Sequence, residues 1–408
     1  MNKTGDNISV MGFFILWFGA AVSIAEMLTG GLLAPLGFRT GLAAIITGHL
    51  IGTTILVLGG TIGTEERLPS IMSTGITFGT YGTYLFSILN VLQLIGWTAV
   101  MIISGARSLN EISKALWSYD CISLWGIIIG GLVCLWILLG KSGWKRLNLA
   151  AVSLLFLLTV LLSTVVFRNS GLFSGGASGD MSFGAALELN VIMPLSWLPL
   201  IADYTRFAKT KRDGVIGSFL GYFTGSSWMY TIGLGAAIAA GNSDPGAMML
   251  AANLGLTALG IVVLSTVTTT FLDVYSAGVT FLNLFPKLSE RTAALAVGMM
   301  GTLIAIAAPI EQYENFLYAI GSVFAPLFAI LLTDYFIIRR NRKLQEGLLV
   351  NWGAAAVWIM GVILYYQFIK LELVLGATVP VMLITGVIHA LSWRWTEKWK
   401  LLKKQQGF

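Results

Sequence analysis

Cysteine and histidine are scarce in this chain: Cys121, Cys134, His49 and His389 are all that 408 residues contain. Two cysteines, both in or beside one apolar run, argue against a disulfide framework, and such thinly scattered ligands make no metal site. Each histidine stands alone in an apolar stretch and reads as a packed side chain. With no clustered ligands and no nucleophile beside a base, the chain is expected not to be an enzyme and to need no cofactor. Charge is equally scarce, at 11% Asp, Glu, Lys and Arg against roughly 25% in a soluble domain.

What fills the chain instead is apolar sequence, 56% of residues, with a mean hydropathy of +0.82. Runs of about 18 or more apolar residues supply the ~30 Å needed to cross a bilayer. Twelve are predicted, at 10–33, 41–63, 83–105, 122–140, 147–167, 186–205, 215–240, 255–283, 292–309, 316–337, 351–369 and 373–393. The first follows a short polar head without a small-residue cleavage site, so it reads as a retained helix and not a signal peptide. The expected fold is an all-α integral membrane protein.

The basic residues orient it. With the amino terminus inside, 20 of the 25 Lys and Arg residues fall on the inner side, among them Lys141, Lys145, Arg146, Arg206, Lys209, Lys211 and Arg212. Only Arg39, Arg107, Lys114, Arg168 and Lys370 fall outside. The positive-inside bias therefore predicts a multi-pass protein of the cell inner (plasma) membrane with both termini cytoplasmic. The net charge of +6 is mostly this bias, so the bilayer is the expected partner and nucleic acid is not.

The outer connection 168–185, with Ser174, Gly175, Gly176, Ser178 and Gly179, divides the chain after five spans. Five is odd, so the sixth span enters from the opposite side, and the two halves are candidates for an inverted repeat. The predicted organisation is one transmembrane transporter domain over 1–408. It comprises repeats at 8–167 and 186–338, two additional helices at 351–393 and a cytoplasmic tail at 394–408. The first span carries a small and polar stretch, SIAEMLTGGLLAPLG, and in the sixth Pro194 and Pro199 bracket Leu195 to Leu198. Proline removes a backbone donor and paired glycines weaken a helix, so both stretches are predicted to unwind. Irregular backbone at that depth is tolerated only against protein or a cavity.

Charges inside the spans are few and each is costly. Glu26 lies in the first broken helix and Asp273 in the eighth span. Either partners another helix or accepts hydrogen bonds from an amino group, or balances a cation, in a substrate cavity. Asp203, beside Tyr204 and Arg206, reads as a cap or ion pair. In the eighth span Ser265, Thr268 and Thr269 stand at i, i+3 and i+4, placing three oxygens on one helix face. Such hydroxyls also serve as helix glue. Opposite the opened first helix, with Ser23 at its break, they form a candidate oxygen site for a cation. In the third span Gln93 and Trp97 share a face, and Trp97 lies too deep for the interfacial aromatic belt. With Trp197 it would sandwich a flat ring, while Gln93, Ser196 and Glu26 offer in-plane hydrogen bonds.

At these residues the chain resembles the nucleobase:cation symporter-1 family. SWLPLIADYTRFAKTKRD around the sixth helix, MLTGG in the first, GW in the third and TTxxxxxYxxG in the eighth are similar to its bacterial cytosine-permease branch, over roughly residues 10–340. The resemblance implies twelve helices in a five-plus-five inverted repeat with broken first and sixth helices, plus two C-terminal helices. It also implies a bundle of helices one, two, six and seven, and a hash of three, four, eight and nine. It places Na⁺ between helices one and eight, with Thr268 and Thr269 as the hydroxyl pair, and Trp97 and Ser196 at the substrate; Gln93 stands one residue from the family's glutamine. Glu26 and Asp273 replace a Ser and an Ala of the cytosine branch, a departure that suits an aminopyrimidine with a larger substituent. The substrate implied is hydroxymethylpyrimidine, a thiamine precursor, with cytosine, the substrate of the branch itself, as the other pyrimidine. The function so implied is import by symport with Na⁺ or H⁺ and alternating access. The alternatives are a purine-, hydantoin- or allantoin-type nucleobase symporter and an amino-acid symporter of the same architecture.

Overall fold

The computed structural model describes residues 7–168, 179–307, 313–338 and 347–402, with 140–148 and 397 described in backbone only. The loop residues Ser174, Gly175, Gly176 and Ser178 lie outside the described residues, as do Lys3, Arg339, Arg340, Arg342, Lys343, Lys403 and Lys404. So do the side chains of Lys141, Lys145 and Arg146.

The chain is built of helices: α1 (Val10–Ala21), α2 (Ile24–Leu32), α3 (Phe38–Glu66), α4 (Ser70–Ser73), α5 (Gly75–Trp117), α6 (Ile122–Val166), α7 (Phe183–Ser196), α8 (Leu198–Thr205), α9 (Lys211–Ala240), α10 (Pro245–Ala251), α11 (Leu256–Leu284), α12 (Glu290–Ala307), α13 (Tyr313–Thr333), α14 (Trp352–Phe368) and α15 (Thr378–Thr396). A two-stranded antiparallel ribbon, β1 (Leu348–Asn351) with β2 (Lys400–Leu402), joins the two ends of the C-terminal helix pair. Among the described residues nine helical stretches are long and apolar enough to cross a membrane, or ten with α1 and α2 taken together. Two stretches predicted as spans, 215–240 and 373–393, form helices α9 and α15 but are not among those ten. Their apolar density is diluted, in α9 by glycine and hydroxyl residues and in α15 by residues such as Thr385 and His389.

Two layers organise the helices. α1, α2 and α3 pack with α7, α8 and α9, while α5 and α6 pack with α11 and α12. Each half therefore contributes first to one group and then to the other. α1 lies against α9 because Gly217, Gly221 and Gly225 recur every four residues, and a Cβ at any of them would meet the backbone or side chains of Val10 to Ala21. Close backbone approach through small residues is how helices associate where no hydrophobic drive exists between them. Asp213 fixes the register: it closes a capping box with Thr210 at the start of α9, and its Oδ1 accepts from Val10 N at the start of α1 (2.9 Å).

The C-terminal pair is fastened by one buried carboxylate. Glu188 of α7 accepts from Tyr365 OH (2.7 Å), Ala377 N (2.8 Å), Thr378 N (2.9 Å) and Thr378 Oγ1 (2.6 Å). Two of these donors are backbone amides at the start of α15, so Glu188 caps that helix from a neighbouring one. Glu188→Leu is expected to strand those donors at a cost of roughly 3 kcal/mol or more. The detergent-solubilised protein would then melt several degrees lower, with Glu188→Gln in between; equal melting temperatures for all three would refute the role.

Candidate functional site

The first span is broken at Val22–Ser23, where α1 and α2 meet at a 59° bend. The break falls before the glycines expected to cause it. Ser23 takes an extended conformation and its hydroxyl accepts from Glu26 N (3.3 Å), starting α2 as a helix cap. Gly30 and Gly31 remain helical; a Cβ at Gly30 would run into the backbone of Tyr230, so that glycine permits close packing of α2 on α9. The sixth span is interrupted less than predicted: a single residue, Trp197, separates α7 from α8, and together they still form one span, Phe183–Thr205. Pro194 sits inside α7, and Pro199 at the second position of α8, where a missing N–H costs nothing.

Between these interruptions and the middle of α11 lies a cavity lined by Ser23, Ala25, Glu26, Trp97, Met101, Met193, Ser196, Trp197, Thr269 and Asp273. Of the ten residues singled out in the sequence, Glu26, Trp97, Ser196, Trp197, Asp273, Ser23 and Thr269 are thus brought to one place. Its free volume is about 20 Å³, room for one water and far short of a pyrimidine ring. The site is shut. Tyr313, at the start of α13, meets Thr29 of α2 (3.0 Å) and sets its ring edge-on to Trp97 (6.1 Å). Tyr204 of α8 donates to the Leu272 carbonyl of α11 (2.9 Å) and packs edge-on against Trp17 (5.8 Å).

The remaining three lie elsewhere. Gln93 is one helical turn from Trp97 and donates to Asn90 Oδ1 (2.7 Å), with its own carbonyl oxygen buried and unpaired among the described residues. Ser265 donates to the Val262 carbonyl (3.2 Å) and Thr268 to that of Leu264 (2.7 Å), the helix-glue geometry of membrane hydroxyls. Thr269 differs from both. Its hydroxyl crosses from α11 to the Ala20 carbonyl at the end of α1 (3.2 Å), so two oxygens from the two elements already meet beside the break.

The two carboxylates are unlike. Glu26 accepts from Tyr222 OH at Oε1 (2.8 Å) and from the Ser226 hydroxyl at Oε2 (2.6 Å), both on α9. Asp273 is 4% exposed and, among the described residues, has no hydrogen-bond or ion-pair partner. A carboxyl group buried without a hydrogen-bond partner is expensive, and Asp273 lines the cavity. Asp203 caps α4 across the fold, accepting from Ser70 N (3.0 Å), while Ser70 Oγ accepts from Ala202 N (2.7 Å). Met101 and Met193 in the cavity wall, and Tyr222 and Ser226 beneath Glu26, were not foreseen. Methionines among apolar runs carry no signal, and the spacing of Tyr222 and Ser226 is legible only once Glu26 is known to face α9. Among the described residues no group of three or more His, Cys, Asp and Glu could hold a metal ion.

Residues 4–389 match the family model for permeases of cytosine and purines, uracil, thiamine and allantoin. The chain is similar to the cytosine permease of Escherichia coli strain K12, with 25% identity over 394 residues covering 93% of this chain and 92% of the relative. It is also similar to the allantoin permease of Bacillus subtilis, 25% identical with 85% and 79% covered. Among solved structures it resembles Mhp1, a nucleobase-cation-symport-1 family transporter, in a closed conformation with bromovinylhydantoin bound. The TM-score is 0.81 and the identity 18%, over 99% of this chain and 98% of that one. A Na⁺-coupled sialic acid symporter shares the fold more loosely, with a TM-score of 0.69 and 13% identity over 99% and 92%.

Proposed function

The chain belongs to the family of permeases for cytosine and purines, uracil, thiamine and allantoin, a transporter family, and from that premise we propose that it imports an aminopyrimidine by cation symport. Hydroxymethylpyrimidine, a thiamine precursor, or cytosine is the substrate. The single observation that carries this reading is the shut cavity with Trp97 and Trp197 in its walls and the unpartnered Asp273 beside them. Two indoles give stacking area to a flat ring. An ionised carboxylate only accepts, so it selects a ring that presents N–H groups. The coupling ion is Na⁺, taken beside the break by oxygens of Thr269 and the Ala20 carbonyl, with Thr268 and Ser265, whose hydroxyls bond within α11, behind Thr269 on the same helix. The protein lies in the inner membrane with both termini cytoplasmic, as the basic residues direct. Alternating access follows from rocking of the α1–α3 and α7–α9 group against the α5–α6 and α11–α12 group around this site.

Asp273 also sets the selectivity. A 4-oxo ring such as uracil turns a carbonyl where an aminopyrimidine turns an N–H. It leaves Asp273 facing an acceptor in a dry site at ~1–3 kcal/mol. Aminopyrimidines should therefore compete for uptake about ten-fold or more better than oxopyrimidines. Asp273→Asn, which both donates and accepts, should narrow that ratio. Uracil competing as well as cytosine in the wild type, or a ratio untouched by Asp273→Asn, would remove the assignment.

A further inference from the structure

Glu26 is the cavity's end of a longer chain of polar groups. Its Oε2 meets the Ser226 hydroxyl (2.6 Å), and the same hydroxyl meets His49 Nε2 (2.5 Å). The other ring nitrogen, Nδ1, lies 2.9 Å from the Ile45 carbonyl of its own helix. A carbonyl only accepts, so Nδ1 carries a hydrogen. That leaves two short links, Nε2 to Oγ and Oγ to Oε2, and each needs one hydrogen. The Ser226 hydroxyl supplies one. A neutral imidazole with Nδ1–H and an ionised carboxylate supply none, and a hydroxyl cannot donate both ways. Two links at these lengths thus require one more proton than neutral His49 and ionised Glu26 contain.

We propose that His49, Ser226 and Glu26 form a proton-binding site that holds one exchangeable proton beside the substrate cavity. The proton has two resting places. On Glu26, the carboxyl donates to Ser226 and Ser226 donates to His49 Nε2. On His49, the Nε2–H donates to Ser226 and Ser226 donates to the carboxylate. The two forms differ only by moving hydrogens along existing bonds. This site is separate from the hydroxyls of α11, and it spans three elements: α2 through Glu26, α3 through His49 and α9 through Ser226. The groups bonded to it are uncharged, and one further carboxyl, Asp273 of α11, lines the same cavity as Glu26. Tyr222 donates to Glu26 Oε1 (2.8 Å), and the Tyr230 ring stands edge-on to the imidazole at 4.6 Å. Asn190 of α7 reaches the His49 side chain and turns its amide nitrogen to the Ala186 carbonyl (2.7 Å), and Tyr313 of α13 meets Thr29 (3.0 Å). Among the described residues no Lys or Arg pairs with Glu26, so the neutralising charge is the proton itself. Its loss leaves two acceptors competing for one hydrogen and pushes α2 away from α3 and α9. Substrate binding should accordingly weaken as pH rises through the titration of this site.

The test needs no substrate and so stands or falls apart from the pyrimidine reading. The full chain in lipid nanodiscs is labelled with ¹⁵N-histidine; with two histidines in the sequence, a His389→Gln variant assigns His49. Between about pH 5 and about pH 10 the His49 Nε2 resonance should move in one step while Nδ1 stays protonated. Glu26→Gln gives Ser226 a permanent amide donor and should abolish the step. Ser226→Ala cuts the chain and should move the midpoint by about one pH unit or more, a ten-fold change in proton affinity; it serves equally should Glu26→Gln fail to fold. An Nε2 resonance that is flat across this range, or a step unchanged in whichever of the two variants folds, would overturn the proposal.

Discussion

Trp197→Ala is expected to weaken substrate binding ten-fold or more, and Trp97→Ala by a similar factor. Both indoles line the same cavity, and both are fixed in place by other rings. Trp197 stands edge-on to Trp17 at 5.6 Å and to Tyr222 at 6.4 Å; Trp97 is held the same way by Phe316 at 5.4 Å and Tyr313 at 6.1 Å. Stacking of a base on an aromatic side chain contributes ~1–3 kcal/mol, and ~1.4 kcal/mol is a factor of ten. Trp→Phe keeps a smaller ring and should fall between wild type and alanine. Equilibrium binding of labelled cytosine to purified protein reads this directly. Unchanged affinity in both alanine variants, at normal melting temperature, would remove the two indoles as walls of a ring site.

Thr269→Ala should weaken substrate binding several-fold or more in the presence of sodium and leave the sodium-free value nearly unchanged. Thr269 bonds from α11 to the opened end of α1, through the Ala20 carbonyl at 3.2 Å. A cation that replaces that hydrogen bond ties the same two elements with a stronger attraction, raising affinity for whatever binds beside them. The coupling is reciprocal, so substrate should also tighten sodium binding by the same factor. Thr268→Ala should act in the same direction more weakly, because its hydroxyl bonds within α11, to the Leu264 carbonyl, and not across to α1. Titrating sodium into wild type and both variants at fixed substrate separates the cases. Equal sodium dependence in all three would place the ion elsewhere.

What could be read in the sequence was whatever rests on periodicity and on rarity. Apolar runs located the spanning helices because a bilayer enforces their length. Glu26, Asp273, Trp97 and Trp197 stood out because charge and deep tryptophan are rare in such runs, and all four line the cavity. Backbone detail was less legible. Gly30 and Gly31 suggested unwinding, yet the chain opens at Val22–Ser23, because a serine cap competes well at a helix start. The same glycines serve packing, which depends on a partner helix that sequence does not display. Pro199 was expected to break the sixth helix, but at the second position of α8 it fits without loss. The hydroxyls at 265, 268 and 269 share a face by spacing alone. Only Thr269 turns to α1, since side-chain rotation is set by the neighbouring helix. His49 reads as a packed histidine on an apolar helix, and its place beside Ser226 emerges only when α3 and α9 are seen together.

The central claim, that the chain couples a cation to pyrimidine uptake, is tested most directly by vesicles containing the purified protein and a labelled aminopyrimidine outside. Hydroxymethylpyrimidine and cytosine are the two substrates to use. With an inward sodium gradient imposed, the label should accumulate above its outside concentration, and dissipating the gradient with an ionophore should release it. Label that only equilibrates, at the same rate with or without an imposed sodium or proton gradient, would contradict the account.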